Sequence, residues 1–280
     1  QKMAARAVFA VVSDVTRNPA LTYVPELLKM RNRADFIVGN AIEDFVSNSL
    51  FEKINGIIWV PPAENGLLTS LWKKANNSKI KWLHSGFAGV DAIHPFILEN
   101  LVQRKDVVVT NAKGAYSRSL AEYAMCATLH FEKQVPRIQR NSQSRTWDKF
   151  VMGELHGKTM GFVGFGDIAQ ATAKIAKHGF GMKIVAMRRQ QGGDASGLAD
   201  ECYSSEVPNE RLQVYQKSDY VICTLPGTPA TVRMVGQEQF AAMRPTAAFV
   251  SIGRGSVVDE AALAAAVRSG AVAGAALDVF

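Results

Sequence analysis

The stretch KTMGFVGFGDIA, residues 158–169, decides the fold. Its first six residues are mostly apolar, as in a buried strand, and residues 170–178 have helical composition. In the turn between them, Gly164 permits a tight bend and Gly166 lets the backbone approach a pyrophosphate. Ala169 stands where a third glycine is usual and is small enough for close helix packing. This order of strand, glycine turn and helix predicts a dinucleotide-binding unit.

The first residues of that helix complete the phosphate-binding prediction. Backbone amides at the start of a helix have no partner within the helix, and they attract anions. We therefore expect the amides of Asp167 and Ile168 to face the phosphates of the dinucleotide. The alternative is a purely structural glycine turn of another α/β protein. The strand and the helix on either side favour the binding interpretation.

The residues after the next predicted strand indicate which dinucleotide is bound. That strand covers Met182–Met187, and Arg188 and Arg189 follow it directly. An NAD site usually has Asp or Glu there to bind the ribose hydroxyls, whereas a guanidinium binds a 2′-phosphate through paired hydrogen bonds. The sequence predicts a preference for NADP(H), with NAD(H) as the second possibility. The alternative is a pair of solvated arginines at a strand end.

Short apolar runs alternate with helical patterns along nearly the whole chain. This alternation predicts an α/β fold with doubly wound parallel sheets, and about ten strands exceed one ordinary sheet, so two domains are expected. Strands are predicted at residues 6–12, 36–38, 56–60, 80–83, 107–110, 159–163, 183–187, 219–224, 247–252 and 272–279. Helices are predicted at residues 24–30, 41–50, 66–75, 117–135, 167–179, 236–243 and 259–268, and a surface loop at 190–197.

Composition and charge exclude several classes of protein. The 280 residues are 48% apolar, which excludes a disordered chain, and they contain no apolar run long enough to cross a membrane. The net charge of +7 comes from scattered basic residues, so an anionic small molecule is expected rather than nucleic acid. Three cysteines without metal-binding spacing predict no metal site and an intracellular protein, most simply a cytoplasmic one. Targeting to an organelle stays open because the chain begins at Gln1 rather than Met.

Six further motifs occur in order along the chain. They are SGFAGVD (85–91), NAKG (111–114), LAEY (120–123), TLPGTP (224–229), FVSIGRGSVVD (249–259) and GAALDVF (274–280). Together with the glycine turn, they resemble the D-isomer-specific 2-hydroxyacid dehydrogenase family, and within it the glyoxylate and hydroxypyruvate reductases. The resemblance runs from about residue 56 to the end of the chain.

The resemblance implies two Rossmann-like, doubly wound domains with a cleft between them. The substrate-binding domain would cover residues 1–111 and the dinucleotide-binding domain residues 112–280. A homodimer is implied as well, joined through the second domain and its long helix at 117–135. Since the chain stops on an apolar strand and the family's first domain is completed by later residues, the sequence is interpreted as truncated after Phe280.

The resemblance also assigns roles around the substrate. Arg254 matches the catalytic arginine, whose guanidinium can hold the substrate carboxylate and polarise the carbonyl that accepts hydride. It follows a predicted strand, at the edge of a parallel sheet where ligands bind. A helix-entry arginine paired with Asp259 is the alternative. The backbone amides of Ala88 and Gly89 would hold the carboxylate from the other domain.

Five more residues match cofactor-binding positions of the family. Ile252 and Asp278 would contact the nicotinamide ribose and carboxamide, and Gly253 is grouped with them. Leu225 and Pro226 would line the adenosine side.

The family's histidine proton donor and its glutamate partner normally follow the Asp-Val-Phe segment, beyond Phe280. None of the five histidines of this chain matches that place. His84 borders the SGFAGVD motif, where packing at a strand end is favoured over substrate contact. We therefore expect the segment to be inactive alone and the full-length protein to be active.

The leading functional hypothesis is an NADPH-dependent reductase of a small 2-oxo acid that yields a D-2-hydroxy acid. A second is a non-catalytic dinucleotide sensor, similar to the corepressors of the same family. A third is an NAD-using hydrolase of the adenosylhomocysteine type, which would need a longer first domain. The sequence does not identify the 2-oxo acid.

Overall fold

The computed structural model describes residues 6–13, 29–60, 65–189 and 196–280. The chain forms two compact units, Gln1–Ala115 and Tyr116–Phe280, divided slightly beyond the boundary predicted between residues 111 and 112. Each unit contains one sheet in which all neighbouring strands are parallel. The predicted fold class, α/β with two parallel sheets, is confirmed.

The first unit has a five-stranded sheet. Its strands are β1 (Ala7–Ser13), β2 (Ala34–Gly39), β3 (Ile54–Val60), β4 (Trp82–Ser85) and β5 (Val108–Asn111). Its described α-helices are α1 (Ile42–Val46), α2 (Asn65–Lys74) and α3 (His94–Asn100). The strand order is β2-β1-β3-β4-β5.

One face of this sheet carries the core of the first unit. Phe45 of α1, Leu71 of α2 and Phe96 of α3 are buried in one cluster with Ile57 of β3 and Leu83 of β4. Each such side chain contributes about 1.5–3 kcal/mol by leaving water. The packing holds the carboxyl end of β4, from which the SGFAGVD loop leaves, on a fixed support.

The second unit has a six-stranded sheet. Its strands are β6 (Thr159–Val163), β7 (Lys183–Arg188), β8 (Glu201–Ser204), β9 (Tyr220–Cys223), β10 (Ala248–Ser251) and β11 (Gly274–Leu277). Its described α-helices are α4 (Ser117–Glu132), α5 (Val135–Gln143), α6 (Asp167–Phe180), α7 (Gln213–Lys217), α8 (Gln237–Ala242) and α9 (Glu260–Ser269). The strand order is β11-β10-β9-β6-β7-β8.

The strand order places a ligand site in the second unit. From β6 the chain adds β7 and β8 on one side, and from β9 it adds β10 and β11 on the other. The order therefore reverses between β6 and β9. In open parallel sheets the crevice beyond the carboxyl ends of the strands at such a reversal is where ligands bind. Helices cover both faces, so the carboxyl edge is the accessible part of the sheet.

The helix predicted at 117–135 extends too far at its C-terminal end. The helix α4 ends at Glu132, and Gln134 takes a left-handed conformation with φ of 49° before α5 begins. A residue with positive φ cannot continue a right-handed helix. Pro136 then stands in the first turn of α5, where a proline costs no hydrogen bond.

Other element predictions differ in smaller ways. The strand β8 and the helices α3, α5 and α7 were not predicted, and α1 is shorter than the helix predicted at 41–50. Most of the helix predicted at 24–30 and of the loop predicted at 190–197 lies outside the described residues. In the part of the chain that is described, no helix combines the length and apolar character needed to cross a membrane.

Candidate functional site

The glycine turn lies at the strand-order reversal, directly after β6. Gly164 has φ of +87°, a conformation that side-chain-bearing residues rarely adopt. Its amide donates to the carbonyl of Met187 at the end of β7 at 3.1 Å. Its carbonyl accepts from the Thr224 hydroxyl, directly after β9, at 3.0 Å. The turn is thus tied to both neighbouring strands, and its backbone is preorganised.

The backbone at the start of α6 fits a pyrophosphate. Gly166 caps this helix, and no other described heavy atom lies within 4 Å of the position that a Cβ would take there. The next two residues, Asp167 and Ile168, form the first turn of the helix, at its positive end. Behind the turn, Ala169 is fully buried against the core, as its small size allows. An open approach and backbone amides at the positive end of a helix are what a dinucleotide phosphate requires.

The two arginines lie at the carboxyl end of β7, beside the glycine turn. Arg188 is the last residue of the strand and is half-buried, and Arg189 follows it and is exposed. The carbonyl of Arg188 accepts from the Ser205 amide at 2.8 Å, and the carbonyl of Arg189 accepts from the Ser204 hydroxyl at 2.9 Å. The end of β7, beside the glycine turn, therefore carries two consecutive arginines whose backbone carbonyls are fixed by hydrogen bonds.

A third loop meets the glycine turn from β9. A Cβ on Gly164 would lie 2.9 Å from Cδ2 of Leu225, so this leucine packs directly on the turn. A Cβ on Gly253 would lie 2.4 Å from the carbonyl oxygen of Leu225, so only glycine fits there. The structure thus brings Gly164, Leu225 and Gly253 together, and Pro226 follows Leu225 along the chain.

Arg254 lies three residues beyond the end of β10, at the same edge of the sheet. It is half-buried, and its Nη1 donates to the carbonyl of Gly253 at 3.0 Å. A Cβ on Gly227 would lie 3.3 Å from Cγ of Arg254, so the loop after β9 supports the arginine side chain. The carboxylate of Asp259 accepts from the Ala262 amide at 3.0 Å and caps α9.

Ile252 and Asp278 occupy different environments. Ile252 is buried in the core, and its amide donates to the carbonyl of Cys223 at 3.0 Å. Asp278 is exposed beyond the end of β11, where its amide donates to the Ser251 carbonyl at 2.9 Å. Burial, and secondarily the carboxylate of Asp278, raises the pKa of Tyr123 on α4. Asp278 therefore lies exposed at the carboxyl edge of the sheet, whereas the Ile252 side chain packs in the core beneath this edge.

In the first unit, Ala88 and Gly89 lie in the loop after β4. Ala88 is exposed and Gly89 is half-exposed. The side-chain amide of Asn111 donates through Nδ2 to the Ala88 carbonyl at 2.7 Å, and the backbone amide of Ala112 donates to the Phe87 carbonyl at 3.1 Å. The end of β5 thus holds the loop, which leaves its tip accessible.

His84 lies within β4, in contact with its neighbours in the sheet. Its Nδ1 lies 2.9 Å from the hydroxyl of Thr110, which also accepts from the indole N–H of Trp82 at 2.8 Å. Burial lowers the pKa of His84, so the imidazole is neutral at physiological pH.

Sequence analysis missed three residues that hold the loops of the candidate site. Thr224 and Asn111 fix the glycine turn and the loop after β4, and Gly227 supports Arg254. Asn111 lies in the NAKG motif, and Thr224 and Gly227 lie in the TLPGTP motif. Membership of these motifs could have identified the three residues, whereas their side-chain chemistry alone could not.

Other catalytic chemistry has little support at this edge. Burial raises the pKa of Cys223, the last residue of β9, to about 11, so its thiol stays protonated at neutral pH. Among the residues that the structure describes, no group of three or more His, Cys, Asp or Glu side chains could hold a metal ion. The site consists of backbone amides, glycines and guanidinium groups, which suit an anionic ligand.

The fold and this site define a two-unit α/β protein whose second unit is of the dinucleotide-binding type. The family model described as "D-isomer specific 2-hydroxyacid dehydrogenase, NAD binding domain" matches residues 125–280, more than half of the chain. The chain belongs to the D-isomer-specific 2-hydroxyacid dehydrogenase family.

Individual relatives agree with this assignment. A glyoxylate reductase of Pyrococcus furiosus is 37% identical over 186 residues, covering 63% of this chain and 54% of that protein. A family member from Aeromonas salmonicida is structurally similar, with a TM-score of 0.77 and 25% identity over 99% of this chain and 82% of that one. The family member from Xanthobacter autotrophicus Py2, solved with NADPH and MES, has the same TM-score and identity, over 99% and 81% of the two chains. The chain spans about half the length of the curated glyoxylate reductases it matches.

Proposed function

We propose that the whole protein is an NADPH-dependent reductase that converts a small 2-oxo acid of the glyoxylate or hydroxypyruvate type into a D-2-hydroxy acid. The observation that carries this proposal is the convergence of the glycine turn, Leu225, Gly253 and Arg254 at one edge of the second sheet. The similarity to glyoxylate reductases supports the substrate class.

The residues of this chain would bind, orient and polarise the substrate. When bound, the dinucleotide supplies the hydride. The guanidinium of Arg254 would hold the substrate carboxylate and stabilise the negative charge that develops on the carbonyl oxygen. In this proposal the amides of Ala88 and Gly89 also bind the carboxylate. The amides of Asp167 and Ile168 would hold the pyrophosphate, and the remaining assigned residues, Pro226, Ile252 and Asp278, would line the cofactor.

The preference for NADPH is proposed from Arg188 and Arg189. Two guanidinium groups at the end of β7 favour a 2′-phosphate, and an NAD site would carry a carboxylate there. The Xanthobacter relative that was solved with NADPH supports the same choice.

A homodimer and an intracellular location belong to the same proposal. Trp147 and Val151, in the segment after α5, are 87% and 92% exposed, and large exposed apolar side chains favour an interface. The three cysteines are free thiols, as expected in a reducing compartment.

Steady-state kinetics of the whole protein with glyoxylate and hydroxypyruvate test the proposal. We expect Arg254→Ala to lower kcat/KM by about a hundredfold or more, because a charge that stabilises the transition state is lost. Arg188→Ala and Arg189→Ala should raise the KM for NADPH and leave the KM for NADH nearly unchanged. Arg268→Ala, an exposed arginine at the end of α9, is the matched control.

Three results would contradict the proposal. Activity of Arg254→Ala within a few-fold of the wild type would exclude the catalytic role of this residue. A clear preference of the wild type for NADH would exclude the interpretation of Arg188 and Arg189. Binding of the dinucleotide without turnover of any 2-oxo acid would favour the sensor instead.

A further inference from the structure

The backbone carbonyl of Arg189 is held by a buried side chain of the neighbouring strand. Pairing of β7 with β8 ends at Arg188, which lies opposite Ser204. Arg189 therefore lies beyond the ladder, and its carbonyl accepts from the Ser204 hydroxyl at 2.9 Å. Ser204 is only 2% exposed. A buried hydroxyl is costly without a partner, so this hydrogen bond has a definite energetic role.

Ser204 is itself fixed on several sides. Its backbone amide donates to Oε2 of Glu210 at 2.7 Å, and its hydroxyl accepts from the Glu206 amide at 3.2 Å. The next residue, Ser205, donates its amide to the Arg188 carbonyl at 2.8 Å. Ser204, the last residue of β8, and Ser205, which follows it, thus hold the carbonyls of the two consecutive arginines.

We infer that Ser204 is a positioning residue for recognition of the ribose 2′-phosphate, acting by fixing the backbone from which the Arg189 guanidinium extends. This inference rests on the proposed function. The ligand chemistry is a phosphate monoester on the adenosine ribose, which two guanidinium groups recognise when their backbone is fixed. Ser204 is buried and bonded to the main chain, so it acts through the arginine and not on the phosphate.

The test compares the Kd of NADPH and of NADH, measured by fluorescence titration of the 280-residue chain. In Ser204→Ala the Arg189 carbonyl loses its donor, and we expect the Kd of NADPH to rise about three- to tenfold, as for one lost hydrogen bond. The Kd of NADH should change less than twofold, because NADH has no 2′-phosphate. A purely structural role of Ser204 would instead weaken both cofactors together.

Tyr203→Phe is the matched control on the same strand. It removes a hydroxyl that is bonded to Glu201 and leaves the bond from Ser204 to Arg189 intact, so both Kd values should stay within twofold. Thermal melting of each variant reports its folding separately from its binding.

Three outcomes separate this inference from the proposed function. If Arg189→Ala abolishes the preference for NADPH while Ser204→Ala does not change it, the inference alone is overturned. The same holds if Ser204→Ala weakens NADPH and NADH equally. If the wild type binds NADH as tightly as NADPH, the proposed cofactor preference fails, and the role of Ser204 fails with it.

Discussion

Two buried serines of the second unit differ in the bonding of their hydroxyl groups. Ser218 donates its hydroxyl to the Val214 carbonyl at 2.5 Å. Ser251, at the end of β10, is fully buried, and its hydroxyl has no hydrogen-bond partner among the described residues. An unsatisfied buried hydroxyl costs free energy, whereas a satisfied one contributes about 1 kcal/mol.

We therefore expect Ser251→Ala to leave the free energy of unfolding unchanged or to raise it. Ser218→Ala is the matched control and should lower it by about 1 kcal/mol, since the hydrogen bond to Val214 is lost. Urea denaturation at an unchanged m-value measures both. Destabilisation of Ser251→Ala by as much as Ser218→Ala would show that the Ser251 hydroxyl does have a partner.

At the residue scale, local pattern predicted the positions of Gly164, Arg188 and Arg254 at strand ends. It could not predict the residues that hold them. Thr224 bonds to Gly164 from 60 residues away, and Asn111 bonds to Ala88 from 23 residues away. Such pairs depend on which strands lie side by side, and the composition of a single segment does not contain that information.

The junction between α4 and α5 depends on the conformation of one residue. Gln134 has φ of 49°, which glycine adopts without strain and other residues adopt at a cost of about 1 kcal/mol. We expect Gln134→Gly to raise the free energy of unfolding by up to about 1 kcal/mol, reduced by the greater freedom of glycine in the unfolded chain.

Gln139→Gly provides the control within the same helical region. Gln139 is exposed in the middle of α5, where glycine costs about 1 kcal/mol relative to a good helix former. Thermal or urea unfolding of the two variants should therefore give changes of opposite sign. If both variants lose stability, the left-handed conformation at Gln134 is not the stable one in solution.

At the element scale, the buried strands were predictable and the edge elements were not. Strands such as β6 and β9 are mostly apolar and buried, so a short apolar run in the sequence is enough to predict them. Only Ser204 is buried in β8, so that edge strand has neither an apolar run nor an apolar alternation. The junction at Gln134 was missed because no glycine or proline stands at that position, although Pro136 follows it.

At the scale of the whole molecule, each unit has its own sheet and its own core. The sequence predicted two parallel-sheet domains, but the order of strands, and hence the reversal between β6 and β9, is a property of long-range pairing that no segment reveals. The helix α4 belongs to the second unit by its packing: Ala124 and Met125 are buried in one cluster with Phe162 of β6. Its last residue, Glu132, accepts hydrogen bonds from Lys158 at 2.6 Å and from Tyr220 at 2.5 Å.

This organisation predicts that residues 116–280 fold without the first unit. Their core contains α4 and both faces of the six-stranded sheet, so the expected result is a cooperative thermal transition and a Kd for NADPH close to that of the 280-residue chain.

A fragment of residues 159–280 is the control. It lacks α4, which exposes the apolar face around Phe162 and leaves Tyr220 without Glu132, so it should show neither the transition nor the binding. A fragment 116–280 that melts without cooperativity, or a fragment 159–280 that folds equally well, would show that the core of the second unit is not organised around α4.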